Sequence, residues 1–336
     1  MPPRLPCSDG RVADLRPAPA GRPLRVAVVG VGHLGRHHAR LVAAADDVEL
    51  VAVVDSAPGR AAEIAGQYGG EALDDWRGLH GRVDAVSIAV PTESHAEIAV
   101  GCIEAGAAVL VEKPIASSVA DATRIVDAGA RHGVVCAVGH SERFNPAVIA
   151  ARPHLADPRF IEIHRLGAFP DRSLDVDVIF DLMIHDLDLL LATVGSEVVG
   201  IEAVGVNVLT PKTDIANARL RFASGCIANL TASRISRDRV RKARFFQRAS
   251  YVSIDFAARE VEVYRLVAGD GRPSIEGGRL TVPDDEPLCR ELADFVEAVR
   301  EGRAPAVTAA AGRDALVLAT RVADAMSAGA AGAGPS

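Results

Sequence analysis

Gly30-Val31-Gly32-His33-Leu34-Gly35 is a G-x-G-x-x-G run, and Asp55 follows Gly35 by 20 residues. In such a run the first glycine permits a tight turn, the second lets backbone approach a pyrophosphate, and the third lets a helix pack closely on a strand. A helix opening there offers unpaired N–H groups to phosphates. A carboxylate at the Asp55 position accepts hydrogen bonds from the adenosine ribose hydroxyls. His33 and Leu34, inside the turn, count with the glycines as cofactor contacts. Asp55 would repel a 2′-phosphate, which favours NAD over NADP; Arg60 is the nearby cation that would act the other way. The plainer alternative is a glycine turn with a capping Asp. Asp181 and His185, four apart, share one helical face. An imidazole holds or releases a proton near neutral pH, so His185 suits a general base, with Asp181 orienting a hydroxyl or tuning a neighbour. The alternative is a polar pair that stabilises a local turn. Lys113 ends an apolar run, where an ammonium would stabilise a developing alkoxide. Taken alone, Lys113 reads more simply as a solvated strand-end lysine.

The elements around these residues come in two styles. Short apolar runs at 24–30, 48–55, 83–90, 107–112 and 134–139 alternate with alanine-rich segments of helical spacing. Strands apolar along their whole length belong to a parallel sheet covered on both faces, and right-handed crossovers make it doubly wound. The predicted fold class is α/β: a Rossmann dinucleotide-binding domain over 24–145, then an α+β domain over 146–328 with a mostly antiparallel open sheet. That second sheet is read from two-periodic runs after a helix at 180–195, and helices are expected at 288–302 and 311–329. Residues 1–23, rich in Pro, Arg and Ala, are expected to be a disordered extension, and 329–336 a disordered tail.

Composition narrows the class. The balance of 37 basic and 44 acidic residues, 37 − 44 = −7, argues against nucleic acid as the main partner. Five widely spaced cysteines without a C-x-x-C pair give no disulfide framework and no cysteine zinc site, and suit the cytoplasm. The longest charge-free stretch, Ala325 to Ser336, is too short for a bilayer, and no signal peptide is visible. No metal is expected. His37 and His38 point about 100° apart on a helix and chelate one ion poorly, so a solvated or phosphate-near face is the reading.

Glu112-Lys113-Pro114 matches the E-K-P signature of the glucose-fructose oxidoreductase/inositol dehydrogenase (Gfo/Idh/MocA) family, and Asp181-Leu182-Met183-Ile184-His185 resembles its D-x-x-x-H. The resemblance covers about residues 24–328. Within it, VGVGHLGRHHAR, GHSERFNPAV and DVDVIFDLMIHDLDLLL are similar to the branch that includes UDP-N-acetylglucosamine 3-dehydrogenases. The resemblance implies an NAD-dependent oxidoreductase with Lys113, Asp181 and His185 as its catalytic set. It also places Glu112, Pro91, Thr92 and His95 near the nicotinamide, although His95 equally suits a plain helix start. His140 and Arg143 are candidate cofactor or substrate contacts, or purely structural. In one respect the chain departs from the family: most members carry glycines four or five residues before the Asp, where this chain has Val176 and Asp177. Either the backbone there stands farther from substrate, or Asp177 itself faces it.

The activity so implied is oxidation of a secondary hydroxyl on a nucleotide-activated amino sugar, UDP-N-acetylglucosamine at C3. Alternatives are a dehydrogenase of a free sugar or cyclitol, and a non-catalytic NAD(H)-binding protein. A nucleotide sugar carries two phosphates that need cationic donors. Arg165 and Arg172 are candidates, as is the stretch Arg234–Arg248, with seven basic residues and one acidic. That stretch also reads as a charged connection and strand face, or, with Phe245 and Phe246 interleaved, as a nucleic-acid patch. The partners expected are a small-molecule substrate and, as is usual in the family, further copies of the chain in a dimer or tetramer; neither nucleic acid nor membrane is expected.

Overall fold

The computed structural model describes residues 15–169, 176–268 and 272–332. They form two compact units. The first holds the described residues up to Ser141 together with Glu286–Asp314; the second holds Glu142–Asp285 together with the residues from Ala315 onward.

The first unit is built on a six-stranded parallel sheet in the order β3-β2-β1-β4-β5-β6. Its strands are β1 (Leu24–Val29), β2 (Val48–Val54), β3 (Glu71–Leu73), β4 (Ala85–Ile88), β5 (Ala108–Glu112) and β6 (Cys136–Gly139). Apart from the short edge strand β3, these are the expected apolar runs, buried because helices lie over both faces. The helices are α1 (Gly35–Ala44), α2 (Arg60–Tyr68), α3 (His95–Glu104) and α4 (Val119–His132). Ser118 starts α4, its Oγ accepting from the Asp121 amide at 3.1 Å.

Two boundaries differ from expectation. The helix α7 (Pro287–Glu301) packs in the first unit: Leu292, Phe295, Ala298 and Val299 join its core. These positions repeat at helical spacing, and the helix lies against α1 in the core of the first unit. Residues 15–23, expected to be disordered, are also docked there. Leu15 and Ala18 pack against that core, and the amides of Arg16 and Ala18 donate to the carbonyls of Gly133 and Val299, both at 2.9 Å. Residues 1–14 lie outside the described residues.

The second unit contains an eight-stranded sheet, β14-β13-β12-β11-β7-β10-β9-β8, antiparallel except for the β7–β10 pair. Its strands are β7 (Pro158–Leu166), β8 (Val198–Val206), β9 (Ile215–Phe222), β10 (Ile227–Ser233), β11 (Val240–Gln247), β12 (Ser250–Asp255), β13 (Glu260–Val267) and β14 (Ser274–Arg279). One face carries the core with α5 (Pro146–Ala151), α6 (Ile184–Val194) and much of α8, which runs Ala309–Gly332. The other face carries polar and aromatic side chains. No helix among the described residues is long and apolar enough to cross a membrane.

Candidate active site

In the first unit the glycine run links β1 to α1. A Cβ on Gly35 would lie 1.7 Å from the Gly30 carbonyl oxygen, and one on Gly30, whose φ is +80°, would lie 2.6 Å from that of Ala89. A side chain at Gly32 would meet nothing within 4 Å. Two glycines are therefore demanded by packing, while the middle one leaves an open cradle at the start of α1. No side chain caps that helix, and its Arg36 and His37 amides donate to the carbonyls of Gly32 at 3.4 Å and Leu34 at 2.8 Å. A dinucleotide pyrophosphate fits this arrangement.

Asp55 is half-buried beside the cradle. Its Oδ2 accepts from the Val31 amide and its Oδ1 from the Ala57 amide, both at 2.9 Å. Arg60 is not turned outward as a phosphate ligand. It donates through Nε to the Val31 carbonyl at 2.8 Å and through an Nη to Glu63 at 2.7 Å. Asp55 and Arg60 thus hold the two polar ends of Val31. His33 lies edge-on to His37 with ring centroids 6.0 Å apart.

His38 differs from the solvated face expected of it. It is fully buried, with Nδ1 2.8 Å from the Ser87 hydroxyl and Nε2 3.1 Å from Glu112 Oε1. Glu112 in turn accepts from the Lys113 amide at 3.2 Å. Burial opposes ionisation of Glu112, but His38 and the Lys113 ammonium outweigh it and hold the carboxyl below its usual range. The same carboxyl crowds Gly139, where a Cβ would come within 2.8 Å. Lys113 itself is half-buried at the end of β5, joined to Pro114 by a cis peptide. The sequence reading missed His38, Ser87 and Glu291. Glu291, from α7, is buried with no hydrogen-bond partner on either oxygen among the described residues, and burial plus the nearby Glu112 raise its carboxyl well above the usual range.

His95 opens α3 and is buried, its ring nitrogens 2.9 Å from the Pro114 carbonyl and 3.0 Å from that of Val90. Burial pushes its pKa down despite those two acceptors. It ties the Lys113–Pro114 turn to the 90–95 loop, which is the helix-start alternative. Pro91 and Thr92 lie on that loop, and His140 follows β6, buried.

In the second unit a π-helical turn over Ile179–Met183 runs directly into α6. Asp181 lies in that turn and His185 at the start of α6, both half-buried. A π-turn leaves the α-helical hydrogen-bond ladder, an irregularity common at functional sites. Asp177, the residue that one reading turned towards substrate, accepts through Oδ1 from the Thr213 amide at 2.7 Å.

Arg165, expected to contact substrate, is instead buried and spent inside the unit. It donates to Asp186 through Nε at 3.0 Å and Nη2 at 2.7 Å, and to Glu142 through Nη1 at 2.9 Å. Burial alone would lower its pKa, but those two carboxylates raise it. A guanidinium in a core is tolerated only with such partners. Arg143 forms a two-pronged pair with Asp188 at 2.7 and 2.9 Å. Arg234 donates to the carbonyls of Thr213, at 2.9 Å, and Val176. Arg172 lies outside the described residues.

Residues 24–140 match the oxidoreductase family with an NAD-binding Rossmann fold (GFO/IDH/MocA), and 147–249 match the C-terminal domain of the same family. The chain is 38% identical over 302 residues to the UDP-N-acetylglucosamine 3-dehydrogenase of Acidithiobacillus ferrooxidans, covering 89% of this chain and 96% of that one. A solved structure of that enzyme superposes with a TM-score of 0.85 at 37% identity, over 91% of this chain and 98% of that one. The scyllo-inositol 2-dehydrogenase (NAD(+)) of Bacillus subtilis is 29% identical over 85% of this chain and 89% of its own. A levoglucosan dehydrogenase in complex with NADH and levoglucosan, at 21% identity, shares the fold with a TM-score of 0.81 over 91% of this chain and 98% of that one.

Proposed function

The chain belongs to the GFO/IDH/MocA family of oxidoreductases with an NAD-binding Rossmann domain, and within that family we propose that it oxidises UDP-N-acetylglucosamine at C3 to the 3-keto sugar. The observation that carries the substrate is the 38% identity to a dehydrogenase of that sugar across both domains. The NAD site fits the open cradle at Gly32 and the Asp55 carboxylate beside it. Acceptance of a hydride is the chemistry the nicotinamide supplies when bound. Around it the protein has three tasks. His185 takes the hydroxyl proton, which leaves the electron pair of the O–H bond to form the ketone as the C–H hydride departs. Asp181, one turn earlier, orients that hydroxyl. Lys113 supplies positive charge to the developing alkoxide, its turn fixed by Glu112 and His95. We also place the protein in the cytoplasm, where free thiols such as those of Cys102, Cys136, Cys226 and Cys289 persist.

NAD reduction at 340 nm with UDP-N-acetylglucosamine, and with free sugars and inositol as comparison, tests the substrate. His185→Ala should lower kcat by about 10²–10⁴-fold, the range for lost general-base assistance, with NAD affinity nearly intact. Its kcat/KM should also lose the acidic limb of the pH profile. Lys113→Ala should cost a comparable factor, and Lys113→Arg should restore only part, since a guanidinium cannot give up a proton. Turnover of inositol but not of the nucleotide sugar would overturn the substrate reading. A His185→Ala enzyme at near-full rate would remove the imidazole from the chemistry.

A further inference from the structure

Of the seven basic residues in the stretch 234–248, three are already engaged. Arg234 serves the carbonyls of Thr213 and Val176. Lys242 pairs with Asp255 at 3.2 Å and Arg244 with Glu162 at 3.5 Å, both on the sheet face away from the core. Arg241 is different. In the β7–β11 register it stands directly opposite Arg165. The alternation along β11 places it in the row of Ala243 and Phe245, both fully buried, so it extends the core face beyond the last buried position. Asp186 of α6 packs on that face and binds Arg165. Arg241 therefore shares its sheet face with the helix that carries His185 and follows the Asp181 turn. The π-turn itself contacts β10, which runs parallel to β7 and ends at the same sheet edge where β11 begins.

Arg165 has taken the acceptors that would otherwise quench Arg241. Both oxygens of Asp186 and Oε1 of Glu142 accept from it, and Glu142 Oε2 accepts from Asn145. Arg241 reaches the surface, and its guanidinium makes no hydrogen bond or ion pair with any described residue; Arg239, immediately before the strand, is exposed and likewise unpaired among the described residues. Partial burial and the cations of Arg165 and Arg239 lower the proton affinity of Arg241, although Glu142 and Asp186 oppose this. A second anion brought to this edge would relieve that repulsion.

We infer that Arg241 and Arg239 form the subsite for the diphosphate of the substrate, at the end of the second unit's sheet that carries Asp181 and His185. This rests on the nucleotide-sugar reading, because a free sugar or cyclitol offers these cations nothing. Two guanidinium groups match two phosphates in charge, and each can donate two parallel hydrogen bonds to phosphate oxygens. The cations recruit the substrate, and the helix residues act on its sugar.

Calorimetric titration of UDP into the NAD-loaded enzyme is the test, with Arg241→Ala, Arg239→Ala, the double variant, and Arg248→Ala, at the opposite end of β11, as control. Loss of one charge-assisted contact should weaken UDP about 10–100-fold in Arg241→Ala. KM for UDP-N-acetylglucosamine should rise in parallel, while kcat and NAD affinity stay within about twofold, and Arg248→Ala should resemble wild type. Arg241→Lys should recover part of the affinity, which keeps the test informative if the alanine variant folds poorly. UDP affinity unchanged in the double variant, while the wild type oxidises UDP-N-acetylglucosamine, would overturn the subsite alone. A wild-type enzyme that ignores both UDP and the nucleotide sugar would instead overturn the substrate reading.

Discussion

Glu291 is the side chain whose surroundings disagree most with its chemistry. It is 2% exposed, neither oxygen has a hydrogen-bond partner among the described residues, and Glu112 and Asp294 are its charged neighbours. Burial and those carboxylates favour the neutral acid, so the carboxyl keeps its proton in the folded chain at pH values where it ionises in the unfolded one. The sign follows from that difference. The contribution of Glu291 to stability is fully present below its unfolded pKa, near 4.5, and is lost as pH rises towards the raised folded value, at about 1.4 kcal/mol per pH unit. Glu291→Gln, neutral at every pH, should therefore melt with the wild type at pH 5 and several degrees above it at pH 8. Equal shifts at both pH values in thermal scans would show that Glu291 is already charged in the fold. This residue also marks what sequence could and could not reveal about the site. The roles of Gly30, Gly32 and Gly35 were legible because they follow from spacing along one strand–turn–helix unit. The His38–Glu112 contact was not, because it joins residues 74 apart through the sheet. Nor was the burial of Arg165, since a polar residue type does not announce the two acids that neutralise it.

At the scale of elements, β7 and α7 show where periodicity stops being sufficient. β7 alternates strictly, with Ile161 and Ile163 buried between Phe160, Glu162 and His164, yet Arg165 occupies the next core position and breaks the apolar pattern. The ion pairs to Asp186 and Glu142 complete what hydrophobicity leaves out. The parallel strands of the first unit were easier to recognise, because all but the short β3 hold nearly continuous apolar runs. For α7 the helix itself was legible and its docking was not. An amphipathic face at 292, 295 and 299 says that something covers it, and chain order suggests the wrong sheet. Phe295, 1% exposed, is the anchor of that contact. Phe295→Ala should cost about 3–5 kcal/mol through lost burial and the cavity left behind, read as a lowered denaturant midpoint. A midpoint within about 0.5 kcal/mol of wild type would mean that α7 is not part of the folded core of the first unit. Because α7 also carries Glu291, the same variant should flatten the pH dependence argued for that carboxyl.

At the scale of the whole molecule, the open face of the eight-stranded sheet is the surface on which we expect copies to assemble. Phe160, Phe246, Tyr251 and Tyr264 stand in one row across β7, β11, β12 and β13, paired residue to residue by the strand register. Their ring centroids are 5.6, 5.2 and 6.4 Å apart along the row. The helices α5, α6 and α8 cover the opposite face, so nothing in this unit's core uses these rings. Beside them lie Lys242 and Arg244, each paired with an acid, which gives the face the mix of aromatic centre and charged surround found in protein interfaces. A closed two-fold dimer lays the same patch of each copy against the other, and a sheet face is self-complementary in that sense. We therefore expect a dimer or a higher even assembly at micromolar concentration, measured by light scattering. Phe246, at the middle of the row, is the position to test. Phe246→Asp places a charge that cannot be buried without a partner, at a cost large enough to split the assembly. The variant should run as a monomer while its NAD affinity, which belongs to the other unit, stays unchanged. A wild type that is already monomeric, or a Phe246→Asp variant of unchanged mass, would put the contact elsewhere and leave this aromatic row as an ornament of the sheet surface.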